Sequence, residues 1–167
     1  MRKRLIRWSM QTVLGTLAFF ARRPRLAWIS GLLTRTLARA TVRTKGIGRA
    51  RGAGDLGTLW QRSFPSAKQV PIETVSGNTV IAQIHTPCPL RGSGDLHACH
   101  RMMEFDREVL RRAGGRFVVL ESQATPGVAY CRVAMRLAGE PMDDLVPAHL
   151  RKYDTSGADS AARPRSR

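Results

Sequence analysis

The stretch DLHACHRMMEFDREVLRRAGG, residues 95–115, decides the fold. At about 100° per residue it reads as a helix with two distinct faces. Cys99, Met102, Met103, Asp106, Val109, Leu110 and Ala113 fall on one side. His97, His100, Arg101, Glu104, Arg107, Glu108, Arg111 and Arg112 fall largely on the other. Gly114-Gly115 ends the run, because glycine accepts the left-handed cap without steric cost. The spacing therefore predicts one helix over 95–113, with a carboxylate, Asp106, in the middle of its apolar face.

On both sides of this helix the pattern changes to that of strands. Gln69–Val75 and Asn78–His85 are β-branched runs around the turn Ser76-Gly77-Asn78, and Thr86-Pro87-Cys88-Pro89 stops the second. Arg116–Ser122 and Val128–Leu137 repeat the arrangement around Thr125-Pro126-Gly127. The fold class is α+β: two β-hairpins form one antiparallel sheet with one helix packed across it, ββαββ, preceded by basic N-terminal helices.

Those N-terminal helices are predicted over 5–21 and 25–44, with Pro24 between them, where it can start a helix but not sit inside one. In the second, Leu26, Ile29, Leu33, Leu37 and Ala40 recur at helical spacing as the expected buried face. Arg35, Arg39 and Arg43 lie on another face, and Trp8 and Trp28 are suited to an interface. Lys45–Gly57 is glycine-rich and reads as a connector, with a short helical turn near Leu56–Ser63. The organisation expected is a basic amphipathic segment over 1–45, a linker over 46–65, the α+β domain over 66–153 and a disordered tail over 154–167.

Charge is concentrated at one end. Lys and Arg number 28 against 12 Asp and Glu, a formal net charge of +16, and the first acidic residue is Asp55. Arg22, Arg23, Arg25, Arg35, Arg39 and Arg43 point to an anionic membrane surface or an acidic protein as partner. Nucleic acid is not expected, since no stacking-aromatic pattern accompanies the charge. The uncharged run Trp8–Ala21 is short for a bilayer-spanning helix and lacks a small-residue cleavage site, so neither a membrane span nor a cleaved signal is expected. Three cysteines without disulfide spacing fit a reducing compartment. The expected location is cytoplasmic, peripheral to the inner face of the membrane.

The chemistry-bearing residues converge. In the last strand Cys131 alternates with Val133 and Met135, which turns it toward the interior that holds Cys99 and Asp106. Cys88 sits at the hairpin-to-helix junction, and Glu121 faces either the interior or the outside. A thiolate is a nucleophile when its pKa is lowered, and a buried carboxyl of raised pKa is a general acid or base. Together they suit attack on an electrophilic carbon with proton delivery to a leaving nitrogen or sulfur. Simple packing of the cysteines is the alternative. No CxxC pair is present, so no metal ligand is assigned, although His85 lies close to Cys88 in sequence. No cofactor motif is found.

Cys88-Pro89, Cys99 with Asp106 after it, Glu121, and Gly127 followed by Cys131 resemble the L-2-amino-thiazoline-4-carboxylic acid hydrolase family. The closing hairpin also resembles the small-molecule-binding V4R domains. The first resemblance implies hydrolysis of a small cyclic C–N bond, with Cys99 as nucleophile and Asp106 as acid–base partner. Cys88, Cys131, Glu121 and Met103 would line the pocket. The second implies a non-enzymatic domain that holds a small molecule or metal in the same place. A basic accessory subunit of a larger complex is the remaining reading.

Overall fold

The computed structural model describes residue 12 and residues 14–151; the start of the chain and the expected tail over 154–167 lie outside the described residues. Residues 14–21 are helical (α1). After a turn at Pro24–Leu26 come α2 (Ala27–Thr44), α3 (Ala53–Arg62), β1 (Ile72–Ser76) and β2 (Thr79–Ile84). Then follow α4 (Leu96–Met102), α5 (Glu104–Arg112), β3 (Gly115–Glu121) and β4 (Cys131–Leu137). The fold is α+β, with a four-stranded antiparallel sheet in the order β1-β2-β4-β3. Each expected hairpin forms, and pairing of β2 with β4, from Val80↔Met135 to Ile84↔Cys131, joins them.

The ββαββ order is corrected in two places. First, a helix stands where a connector was expected. Leu56, Leu59 and Trp60 share one side of α3 and are buried in the main core, against Val80, Ala82, Val133 and Met135. The glycines there are contact surface. A Cβ at Gly57 would stand 2.9 Å from Val80 Cγ1, and one at Gly115 would stand 2.6 Å from Leu56 Cδ1. Without side chains at these two positions, α3 lies directly on the sheet.

Second, the helix over 95–113 is two helices. The chain turns at Met103, whose φ of −75° and ψ of 13° are not helical. Arg107 Nη2 donates to the His100 carbonyl at 2.6 Å, which satisfies an acceptor at the break. The break sends Cys99 and Asp106 into different surroundings.

The orientation of α2 is also unexpected. Its buried residues are Ser30, Thr34 and Ala38, whereas Leu33 and Leu37 are exposed. The reason lies in the partner. α2 packs mainly on α5, whose facing side carries Glu104 and Glu108. Small side chains let the two helices approach, and arginines meet the carboxylates. Glu108 is only 4% exposed and accepts from Arg39 at 3.4 Å and from Arg111 and Arg112 at 2.9 Å each. Arg35 lies 3.5 Å from Glu104. These arginines hold Glu108 down to about 2. The side of α5 expected to face solvent is thus partly internal.

The outer face of the sheet is covered in part by the segment after β4. Met142 and Leu145 pack on Val118, Leu120 and Ala134. Arg136, nearly buried, holds the Asp144 carboxylate with two bonds of 2.6 Å.

Candidate functional site

A cavity of about 430 Å³ opens between the N-terminal helices and the inner face of the domain. Leu14, Leu17 and Leu37 line it from α1 and α2; Phe64, Ile84, Met102, Met103 and Phe105 line it from the other side. Polar groups interrupt these walls: Thr34, Thr41, Thr44 and Lys45 along α2 and at its end, and Ser63, Thr86, Cys88, Asp106, Gln123 and Cys131 opposite. A concave, mostly apolar site with a few polar groups is the usual form of a small-molecule pocket.

Asp106 is placed by α5 and by a residue far away in sequence. Trp60, fully buried on α3, donates its indole N–H to Asp106 Oδ1 at 2.9 Å. Burial pushes the carboxyl up to about 6, with the Trp60 bond and the Arg107 charge offsetting only part of the effect. Asp106 therefore changes charge near neutral pH while it faces the cavity.

Gln123 fixes the opposite wall. It is fully buried. Its Nε2 donates to the carbonyls of Ile84 and Thr86, both at 3.0 Å. Its Oε1 accepts from the Cys88 backbone at 3.3 Å and from Arg91 Nη2 at 2.6 Å. Its own N–H donates to Cys131 Sγ at 3.3 Å. The side chain thus ties the end of β2 to the Cys88 loop, and the backbone of the same residue adds the start of β4. Two nearby hydroxyls differ. Ser63 Oγ and Thr86 Oγ1 are buried beside the cavity and, among the described residues, have no hydrogen-bond partner.

Cys88, Cys131, Asp106 and Met103 line this cavity. Cys99 does not line it. Its thiol accepts a hydrogen bond from Ser122 Oγ at 3.0 Å in a separate cluster with Ala18, Leu90 and Ala124. Burial pushes the Cys99 thiol up to about 11 and the Cys131 thiol up to about 12, and raises Cys88 as well. All three cysteines are free thiols, and these shifts keep them protonated at neutral pH. Glu121 also stands apart. A bulge after Val119 pairs it with Arg132, which points away from the helices toward Glu73.

Among the described residues no three His, Cys, Asp or Glu side chains are placed to hold a metal ion. His85 stacks on Tyr130 at 4.8 Å between ring centres, rather than joining Cys88. His97 and His100 lie against His149, and burial with the nearby Arg107 charge pushes His100 down to about 4.

The chain matches no protein-family model, and neither a curated protein nor a solved structure matches it. Its site is therefore read from its own geometry. Trp60, Gln123 and the two hydroxyls Ser63 and Thr86 were missed in the sequence. Trp60 could have been found from the helical spacing of Leu56, Leu59 and Trp60. For Gln123 no spacing or composition signal exists, because its importance lies in backbone groups that only the fold brings to it.

Proposed function

We propose that this domain binds a small amphiphilic molecule in the cavity. The observation that carries this reading is the largely apolar cavity of about 430 Å³ whose wall includes the Asp106 carboxyl, with Ser63 and Thr86 beside it. The apolar body would lie along Leu14, Leu17, Leu37 and Phe64. Asp106 can accept from a hydroxyl or an amine. This is the binding-domain reading of the sequence, with the metal option set aside in favour of an organic ligand.

The test uses 1-aminoanthracene, an apolar fluorophore with one amine. Saturable fluorescence enhancement is expected, with Asp106→Asn weakening it by about tenfold for the lost charge-assisted bond. Signal that never saturates, or that is unchanged in both Asp106→Asn and Leu37→Gln, rules the site out.

Hydrolysis of a cyclic C–N bond has one observation in its favour, the carboxyl at about 6 on the cavity wall. In that reading the Asp106 carboxylate takes a proton from water. The water oxygen bonds to the ring carbon, and the ring nitrogen leaves with the proton. Turnover of a thiazoline carboxylate with a pH midpoint near 6, abolished in Asp106→Asn and retained in Cys99→Ser, is its expected signature.

A further inference from the structure

We propose that the open face of α1 and α2 docks on an anionic lipid bilayer, and that the cavity exchanges its ligand with that bilayer. The docking half stands on surface geometry alone; the exchange half rests on the cavity reading above.

The inverted orientation of α2 is the starting point. With Ser30, Thr34 and Ala38 turned inward, the large apolar side chains are left outside. Trp28 is 66% exposed, and Leu32, Leu33, Leu37 and Phe19 are each about half exposed. A group of such residues on one helical hairpin is uncommon on a free surface and marks an apolar contact. Trp28 is of the residue type that settles at the headgroup level of a bilayer.

Charge says what kind of surface it meets. Arg22, Arg23, Arg25 and Arg43 are exposed around this face, and among the described residues none of them lies within ion-pair distance of a carboxylate. The arginines that do pair, Arg35 and Arg39, meet carboxylates of α5. No acidic residue occurs before Asp55, so nothing in this segment repels an anionic leaflet. The exposed apolar side chains of α2 are interleaved with arginines over its outward half, and anionic lipid offers a partner to both. Among the described residues no helix is long and apolar enough to cross a membrane, so the contact is one of lying on the surface.

The cavity belongs to the same face. Leu37 is both one of these exposed side chains and a wall of the cavity, and Leu14 and Leu17 line it from α1. A surface pressed on lipid would therefore place the cavity mouth at the bilayer. That favours a ligand dissolved in the membrane, an amphiphile whose apolar body passes from lipid to protein without crossing water.

The experiment is co-sedimentation of the full chain with vesicles of phosphatidylglycerol and phosphatidylcholine in equal parts, against phosphatidylcholine alone. Binding to the anionic vesicles only is expected, weakening with added salt. The double variant Trp28→Glu, Leu33→Glu should reduce partitioning by about tenfold or more. Because a misfolded double variant would be uninformative, Arg22→Gln, Arg25→Gln, Arg43→Gln provides the second arm and should weaken binding and flatten the salt dependence. Equal binding to both vesicle types, or undiminished binding in both variants, overturns the proposal. So does a salt-independent dimer that ignores vesicles and dissociates in the double variant, since a second copy would then cover the face. The 1-aminoanthracene titration without lipid separates the two readings: if the probe binds and vesicles do not, the docking fails and the cavity stands. If vesicles bind and the probe does not, the cavity reading and the exchange fail together.

Discussion

The two halves of this molecule are held by different forces. Around Trp60 the sheet and α3 are joined by large apolar side chains, with one buried carboxyl tied to one indole. Between α2 and α5 the contact consists of small side chains and arginine–glutamate pairs, and the large apolar residues of α2 lie on its far side. Apolar burial resists salt and moderate acid, whereas ion pairs respond to both. The first region is expected to act as a scaffold, and the second as a layer that loosens before it, although Ala38 and Val42 of α2 also reach the main core.

The largest test of that contrast is Trp60→Ala. It opens a void in the main core and leaves Asp106 buried without its donor, so a loss of about 4 kcal/mol is expected in urea unfolding. Trp60→Phe keeps most of the volume and should cost about half as much. If the two substitutions cost the same, the hydrogen bond rather than the packing holds this region.

Next in size is the effect of pH on the same residue. The ordinary carboxyl value for Asp106 is 3.8, and the folded value is about 6, so the folded protein binds this proton more tightly. Its contribution therefore favours the fold below about 4 and is lost as pH rises through 6, by about 3 kcal/mol in all. Asp106→Asn should remove that slope and be more stable than the parent at pH 7. An unchanged slope between pH 4 and 6 would show that Asp106 is not the titrating group.

Smallest is the α2 layer. Glu108→Gln should cost about 1 kcal/mol, because its arginines are largely hydrated and recover much of their solvation. The loss should appear in hydrogen exchange of α2 and α5 while the sheet keeps its protection. Its pH dependence has the opposite sign. Glu108 is held from 4.5 down to about 2, so its stabilisation is present above 4.5 and disappears as pH falls toward 2. Equal loss of protection in the sheet would erase the distinction between the two regions.

The sequence made some of this legible and hid the rest for physical reasons. The hairpins follow from local turns and period-two alternation, which is why Cys131 faces the interior as read. Asp106 was visible because a carboxylate on an apolar helix face is unusual. The break at Met103 was not, since the amphipathic pattern runs through it unchanged; nor was the bulge after Val119 that turns Glu121 outward, because one extra residue leaves no compositional trace. The orientation of α2 defeated hydrophobic periodicity altogether. Which face is buried was decided by Glu104 and Glu108 on a helix some seventy residues away. Cys99 and Asp106 were read onto one continuous helix, and the break at Met103 places them on two.

The order β1-β2-β4-β3 also has a consequence for how the chain reaches its native state. Each hairpin closes a short loop and can form early, but pairing β2 with β4 must bring together segments separated by the loop, both short helices and the first hairpin strand of the other pair. That closure is the slow, high-contact-order event. Ile84 and Cys131, which line the cavity from the two sides of this seam, meet only when it is complete. During refolding, strand content should therefore rise before the cavity exists, and a cavity probe added at the start should report only the last phase.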